Sequence, residues 1–216
     1  MGREPLAVAL ANFVMKIINS VPLLWVLLAL PSLPMVVDLP EQQRYYPELM
    51  HETGILSVQL LVLTIAVSPF NYLARYFDKL RPVAKWLMKR RRYFGVASFA
   101  YALLHLIFYV RETGDLTEVL LEGLDIELAT GWIAFLIFLA LAATSNDASL
   151  RKLGASWNRL HRLVYLAIIL IFAHWYLLDI FLDLALMWAM VFVGLKLAQF
   201  VLRRMRGGHV NSSLAG

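Results

Sequence analysis

The chain has 216 residues, 61% of them hydrophobic and only 16% charged, with a mean hydropathy of +0.68. Soluble domains carry about 45–50% apolar and about 25% charged residues. The composition therefore excludes a water-soluble enzyme and predicts an integral membrane protein. Cysteine is absent, which excludes disulfides, thiolate nucleophiles, iron–sulfur clusters and covalent haem attachment. Neither G-x-G-x-x-G nor G-x-x-x-x-G-K-[ST] occurs, so no glycine-rich loop of its own binds a nucleotide.

In chain order, residues 1–16 mix Arg3, Glu4 and Lys16 with apolar side chains and are expected to lie along the membrane surface. Six apolar spans follow, at about 17–37, 55–74, 94–110, 131–145, 162–179 and 184–202. Backbone polar groups in lipid must be satisfied within the segment, so each is expected to be a helix. The fold class is thus all-α and polytopic, with one six-helix domain over 17–206. No small-residue cleavage site follows the first span, which reads as a retained anchor. Asn19, Ser20 and Pro22 in the first span, and Ser68-Pro69 in the second, predict local kinks. The Gly/Ser/Asn-rich stretch 207–216 is expected to be a disordered tail.

The charges are sorted by loop. Arg75, Lys79, Arg81, Lys85, Lys89 and Arg90–Arg92 follow the second span. Arg151, Lys152, Arg159 and Arg162 follow the fourth, and Arg203, Arg204 and Arg206 close the last. The alternate loops hold only Arg44 and Arg111 against carboxylates that include Glu48, Glu112, Asp115, Glu118, Glu122, Asp125 and Glu127. The positive-inside rule then puts both termini in the cytoplasm. The net charge of +5 becomes a topology signal, and nucleic acid loses its support as a partner.

Five histidines remain: His51, His105, His161, His174 and His209. His105 lies thirteen residues beyond Arg92, and His174 thirteen beyond His161, on spans that run in the same direction. Thirteen residues rise about 20 Å, so His105 and His174 are expected at one depth, in the outer half of the bilayer. Ionisable side chains inside a span are costly and point to function. Two facing imidazoles suit axial ligation of one noncovalent haem. Phe99, Tyr101, Phe108 and Tyr109 near one histidine, and Phe172, Trp175 and Tyr176 near the other, suit a flat apolar macrocycle. The residues alone leave open a second reading, in which each histidine only hydrogen bonds a neighbouring helix.

His161 sits at the cytoplasmic edge with Trp157, Arg159 and Arg162. It suits a second haem, a flavin whose phosphate meets Lys and Arg while Trp157 stacks on the ring, or no cofactor at all. The matching depth on the third span carries Arg91 and Arg92, which do not ligate iron. His51 is expected to be a solvated loop residue before the second span, and His209 a residue of the tail.

The pattern T-S-x(5)-R-K-L-G-x-x-W-x-x-L-H-x-x-V-Y-x(8)-H, running from Thr144 to His174, resembles the MsrQ-type haem-binding subunits of the periplasmic methionine sulfoxide reductase system. Arg91-Arg92-x-x-Gly95 with Leu104-His105 and Tyr109, His51-x-Thr53-Gly54, and Ser68-Pro69 fit the same family, so the resemblance covers about 51–180. It implies a ferric-reductase-like transmembrane bundle in a bacterial inner membrane. It also implies haem b, one or two copies, axially held by His105 and His174. FMN or a second haem is implied near His161, with Trp157, Lys152, Arg92 and Arg159. Electrons are implied to come from a cytosolic flavin reductase or the quinone pool. They are implied to go to a periplasmic, molybdenum-dependent methionine sulfoxide reductase catalytic subunit. The same scaffold suits a ferric or oxygen reductase core, and a haem-free transporter or assembly protein is the alternative from another class.

Overall fold

The computed structural model describes residues 16–17, 19–37, 46–178 and 182–212, with side chains as far as 204. The chain forms two compact units, Met1–Arg44 and Tyr45–Gly216. In the first, α1 (Val21–Ala29) passes through a 3-10 turn (Leu30–Ser32) into α2 (Leu33–Val37). The continuous span expected over 17–37 is therefore a broken helical run. Asn19, Ser20 and Pro22 do not kink it. Ser20 caps its start, accepting a hydrogen bond from Leu23 N at 3.4 Å, and Pro22 lies in the first turn, where its missing N–H costs nothing. Pro31 and Pro34 interrupt it further on, each removing a backbone donor.

Every regular element among the second unit's described residues is helical, with short turns and a 3-10 turn (Asp78–Leu80) between the helices. Its elements are α3 (Tyr46–Leu73), α4 (Arg81–Thr113), α5 (Leu116–Glu122), α6 (Ile126–Ala143), α7 (Asp147–Leu153), α8 (Ala155–His161), α9 (Val164–Leu177) and α10 (Leu182–Ser212). Among the described residues five helical stretches are long and apolar enough to cross a membrane: Tyr46–Leu73, Asp78–Thr113, Ile126–Ala143, Ala155–Leu177 and Leu182–Arg204; the shorter run Val21–Val37 is also apolar. Outward-facing Ile133, Leu136, Ile169, Met190 and Leu197 are exposed, as befits a surface solvated by lipid. The chain is a polytopic all-α membrane protein.

Several boundaries move, and the second span's helix begins at Tyr46 rather than at 55. The basic stretch expected as a loop after the second span is mostly the start of α4, because Lys and Arg are good helix formers and Pro82 fits a first turn. Helix α10 continues through 207–212, where a disordered tail was expected; residues 213–216 lie outside the described set, as do 1–15. Pro69 sits inside α3 without ending it.

Helix α3 pairs with α4, α6 pairs with α9, and α10 lies against α3. Leu61 and Ile65 of α3, Phe138 of α6, and Ala167 and Ile168 of α9 form the shared apolar core. A reciprocal polar tie joins the first pair: Ser57 Oγ donates to the Ser98 carbonyl at 2.9 Å, and Ser98 Oγ to the Ser57 carbonyl at 2.8 Å. Such hydroxyls tie helices together where lipid removes the hydrophobic drive between them.

Candidate functional site

A cavity of about 370 Å³ opens between α3, α4, α6 and α9, in the half of the bundle nearer the acidic loops. That volume lies within the range of cofactor pockets. Its wall is largely apolar and includes Val58, Ala102, Trp132, Phe135, Phe138, Ile171 and Trp175. Across it the rings of His105 (α4) and His174 (α9) face each other, centroids 6.4 Å apart and planes at 89°.

Each ring is held from a helix other than its own, by the same device. His105 Nδ1 donates to the Met50 carbonyl of α3 at 2.8 Å. His174 Nδ1 donates to the Glu127 carbonyl of α6 at 2.6 Å. A carbonyl accepts only, so the proton sits on Nδ1 and each neutral ring keeps a lone pair on Nε2. Four residues past each carbonyl stands a glycine. A Cβ on Gly54 would lie 3.0 Å from His105 Nδ1, and one on Gly131 only 2.9 Å from His174 Nδ1 and Cε1. The glycines leave the room that lets each imidazole reach the preceding turn's carbonyl.

Metal–imidazole bonds are about 2 Å long, and the ring centre lies about 1 Å further back, so two imidazoles on one metal have centroids about 6 Å apart. The pair matches that spacing. Among the described residues no group of three or more His, Asp or Glu gathers as it would for a bare ion. Two imidazoles alone leave a bare cation under-coordinated, whereas a macrocycle brings its own equatorial nitrogens. The apolar wall and the two oriented Nε2 atoms therefore fit a haem.

The aromatic residues expected around the pair are divided. Tyr109 and Trp175 line the cavity. Phe99 packs behind it on Phe135 with centroids 5.6 Å apart, Phe108 is buried against Tyr46 at 6.0 Å, and Phe172 meets Phe192 at 6.4 Å. Tyr101 is buried and Tyr176 is exposed. Sequence reasoning missed the α6 wall; its signal is Trp132, Phe135 and Phe138 at helical spacing after Gly131. It also misplaced His51. This residue is not a loop residue but sits in the second turn of α3, half-buried and lining the cavity.

The other end of the bundle holds His161. Gly154 adopts φ +52°, ψ −123°, a conformation that L side chains rarely adopt. It separates α7 from α8, which explains the glycine of the R-K-L-G segment. Trp157 and His161, one turn apart on α8, then stack with centroids 3.8 Å apart and planes at 20°. Both reach Thr144 at the end of α6: Trp157 Nε1 donates to its carbonyl at 2.9 Å, and its hydroxyl lies 3.1 Å from His161 Nε2. Arg91 and Arg92 are close enough to act electrostatically on His161. Arg91 Nε donates to the Thr64 carbonyl at 2.9 Å. Arg92 pairs with Asp147 at 2.6 Å and holds its carboxyl below the ordinary aspartate pKa. Lys152 and Arg159 are exposed.

A family profile described as "Ferric reductase like transmembrane component" matches residues 53–172. The protein-methionine-sulfoxide reductase heme-binding subunit MsrQ of Pectobacterium carotovorum subsp. carotovorum (strain PC1) is 36% identical over 158 residues, covering 71% of this chain and 72% of that one. The same-named subunit of Yersinia enterocolitica is 35% identical over 162 residues (70% and 76%). That of Klebsiella pneumoniae (strain 342) is 39% identical over 132 residues (59% and 62%). No solved structure matches the chain. With the profile matching 53–172, more than half of the chain, and a relative 36% identical over 71% of it, the chain belongs to the ferric-reductase-like transmembrane family and, within it, to the MsrQ group.

Proposed function

We propose that the protein is a transmembrane electron-transfer subunit that holds one b-type haem between His105 and His174. The observation that carries this reading is the pair of rings 6.4 Å apart across an apolar cavity, each with Nδ1 on a carbonyl. Haem, when bound, supplies one-electron chemistry. The chain's own residues do the rest. Met50 and Glu127 carbonyls fix the imidazole tautomers and raise their basicity. Gly54 and Gly131 set the ring positions, and the aromatic wall excludes water.

At the basic end, Arg91 and Arg92 stand close to His161 where a second ligand would be needed. This favours an anionic flavin such as FMN over a second bis-histidine haem, with Trp157, Lys152, Arg92 and Arg159 as the surrounding residues. The names of the relatives support a protein-methionine-sulfoxide reductase catalytic subunit as acceptor. A cytosolic flavin reductase or the quinone pool fits as donor. Both termini then lie in the cytoplasm, and the haem half faces the periplasm.

Absorption and pyridine-haemochrome spectra of the purified protein test the core of this reading. The expected result is a bis-histidine b-type spectrum, lost in both His105→Ala and His174→Ala. An unchanged spectrum in either variant overturns the ligand assignment. A colourless, fully helical preparation from haem-supplemented cells favours the haem-free alternative. Flavin quantification on wild type and His161→Ala separates FMN from a second haem. Acceptor assays with ferric iron and oxygen distinguish the other reductase readings.

A further inference from the structure

The cavity is polarised along its length, and its one extra cation-forming side chain lies at one end. Helices α3 and α4 are antiparallel, so the residue a turn before Gly54 and the residue a turn after His105 both lie toward the acidic loops. Those residues are His51 and Tyr109, and both line the cavity. Toward the opposite end the wall is Val58, Ala102, Phe138 and Ile171, and the hydroxyl of Ser57 beside them already donates to the Ser98 carbonyl. The Tyr109 hydroxyl donates to Glu122 Oε2 at 2.7 Å, so its proton is already engaged. The lining contains no Lys or Arg. His51 is then the one side chain in the lining, apart from His105 and His174, that can carry a positive charge. Its Nδ1 pairs with the Pro47 carbonyl at 2.5 Å in the preceding turn, which sets the ring's orientation.

A b-type macrocycle has an apolar body and two carboxylates on one edge. Burying a carboxylate against Val58, Phe138 and Ile171 is strongly unfavourable, while a charge-assisted hydrogen bond to His51, to which the macrocycle's carboxylic acid passes its proton, offsets that desolvation. We infer that His51 binds the carboxylate edge of the macrocycle and so fixes its orientation, carboxylates toward the acidic loops and apolar edge toward the core. This rests on the haem reading above and assigns a role to a residue that neither axial ligation nor the basic-end site uses. The carboxylate-bearing edge then faces the end of the bundle from which a periplasmic acceptor is approached.

The test compares haem with its dimethyl ester, which keeps the macrocycle and removes the carboxylate charges. Both are titrated into purified apo-protein and read by absorbance. Wild type is expected to bind haem roughly tenfold to a hundredfold more tightly than the ester, the size of a charge-assisted hydrogen bond. His51→Ala is expected to weaken haem by that factor and leave the ester unchanged, with bis-histidine spectra throughout. Equal affinity of wild type for haem and ester overturns the inference, and so does equal weakening of both in His51→Ala, which marks a packing role. Failure of wild type to bind either ligand overturns the haem reading itself, so the two failures are distinguishable.

Discussion

Substituting Gly131 tests whether the site depends on backbone held at a fixed distance from the histidine. A Cβ there would meet His174 Nδ1 and Cε1 at 2.9 Å, where ordinary contact begins at 3.4 Å. The ring must retreat by about 0.5 Å or more, stretching its 2.6 Å bond to the Glu127 carbonyl. Overpacking of this kind costs about 1–3 kcal/mol, and loss of an outer partner to a metal-bound histidine costs about 10- to 100-fold in affinity. The two scales agree, since a tenfold change is about 1.4 kcal/mol. Gly131→Ala is therefore expected to bind haem 10- to 100-fold more weakly than wild type by absorbance titration, with helicity retained by far-UV circular dichroism. Gly54→Ala, at 3.0 Å from His105 Nδ1, is expected to behave alike. Gly95→Ala is the control, because its Cβ meets Thr64 Cγ2 at an ordinary 3.6 Å. Wild-type affinity in both Gly131→Ala and Gly54→Ala would refute the argument, as would equal loss in Gly95→Ala.

Three further outcomes follow from other contacts. Removing both hydroxyls of the α3–α4 tie, Ser57→Ala with Ser98→Ala, should lower stability in a denaturant titration by about 1 kcal/mol, since intramembrane hydrogen bonds average about 0.6 kcal/mol each. Thr144→Val removes the hydroxyl beside His161 Nε2 but keeps the carbonyl that holds Trp157. It should reduce flavin content and leave the haem spectrum unchanged. The Arg92–Asp147 pair depresses the Asp147 pKa in the folded state. Its contribution is therefore present above the ordinary aspartate value of about 4 and is lost as pH falls through the lowered one. Asp147→Asn should remove that acid-side loss from a stability-versus-pH curve, and an unchanged curve would count against the pair. Because Asp147 is fully exposed, the effect should be small and should shrink with salt.

Much of the candidate site was legible because helical rise converts residue counts into depth. Thirteen residues from Arg92 to His105 and from His161 to His174 suffice to place the two imidazoles on one level. What stayed hidden is what a one-letter sequence does not encode. The Met50 and Glu127 carbonyls carry no side-chain signature, so the anchoring of each ring is invisible until the helices are packed. Trp132, Phe135 and Phe138 look like any lipid-facing stripe, because no polar residue marks the face they share. His51 precedes the apolar run that starts at 55 and so reads as a loop residue, but α3 begins nine residues earlier, at Tyr46, and runs on through Pro47. That proline lies in the first turn of α3, where a missing N–H breaks no bond. The first span reads as one run kinked near Pro22, while it is Pro31 and Pro34 that divide it.

The way each histidine is held also bears on assembly. His105 leans on α3, the helix its own α4 pairs with, and His174 leans on α6, the partner of its own α9. In the proposed haem site each antiparallel pair would therefore supply one ligand together with its anchor. A haem held between the two histidines would tie the two pairs together, since ligand binding to the folded state alone adds directly to its stability. Cofactor insertion would then act as the closing step of bundle assembly, and cells starved of haem would accumulate a loosely joined protein exposed to membrane proteolysis.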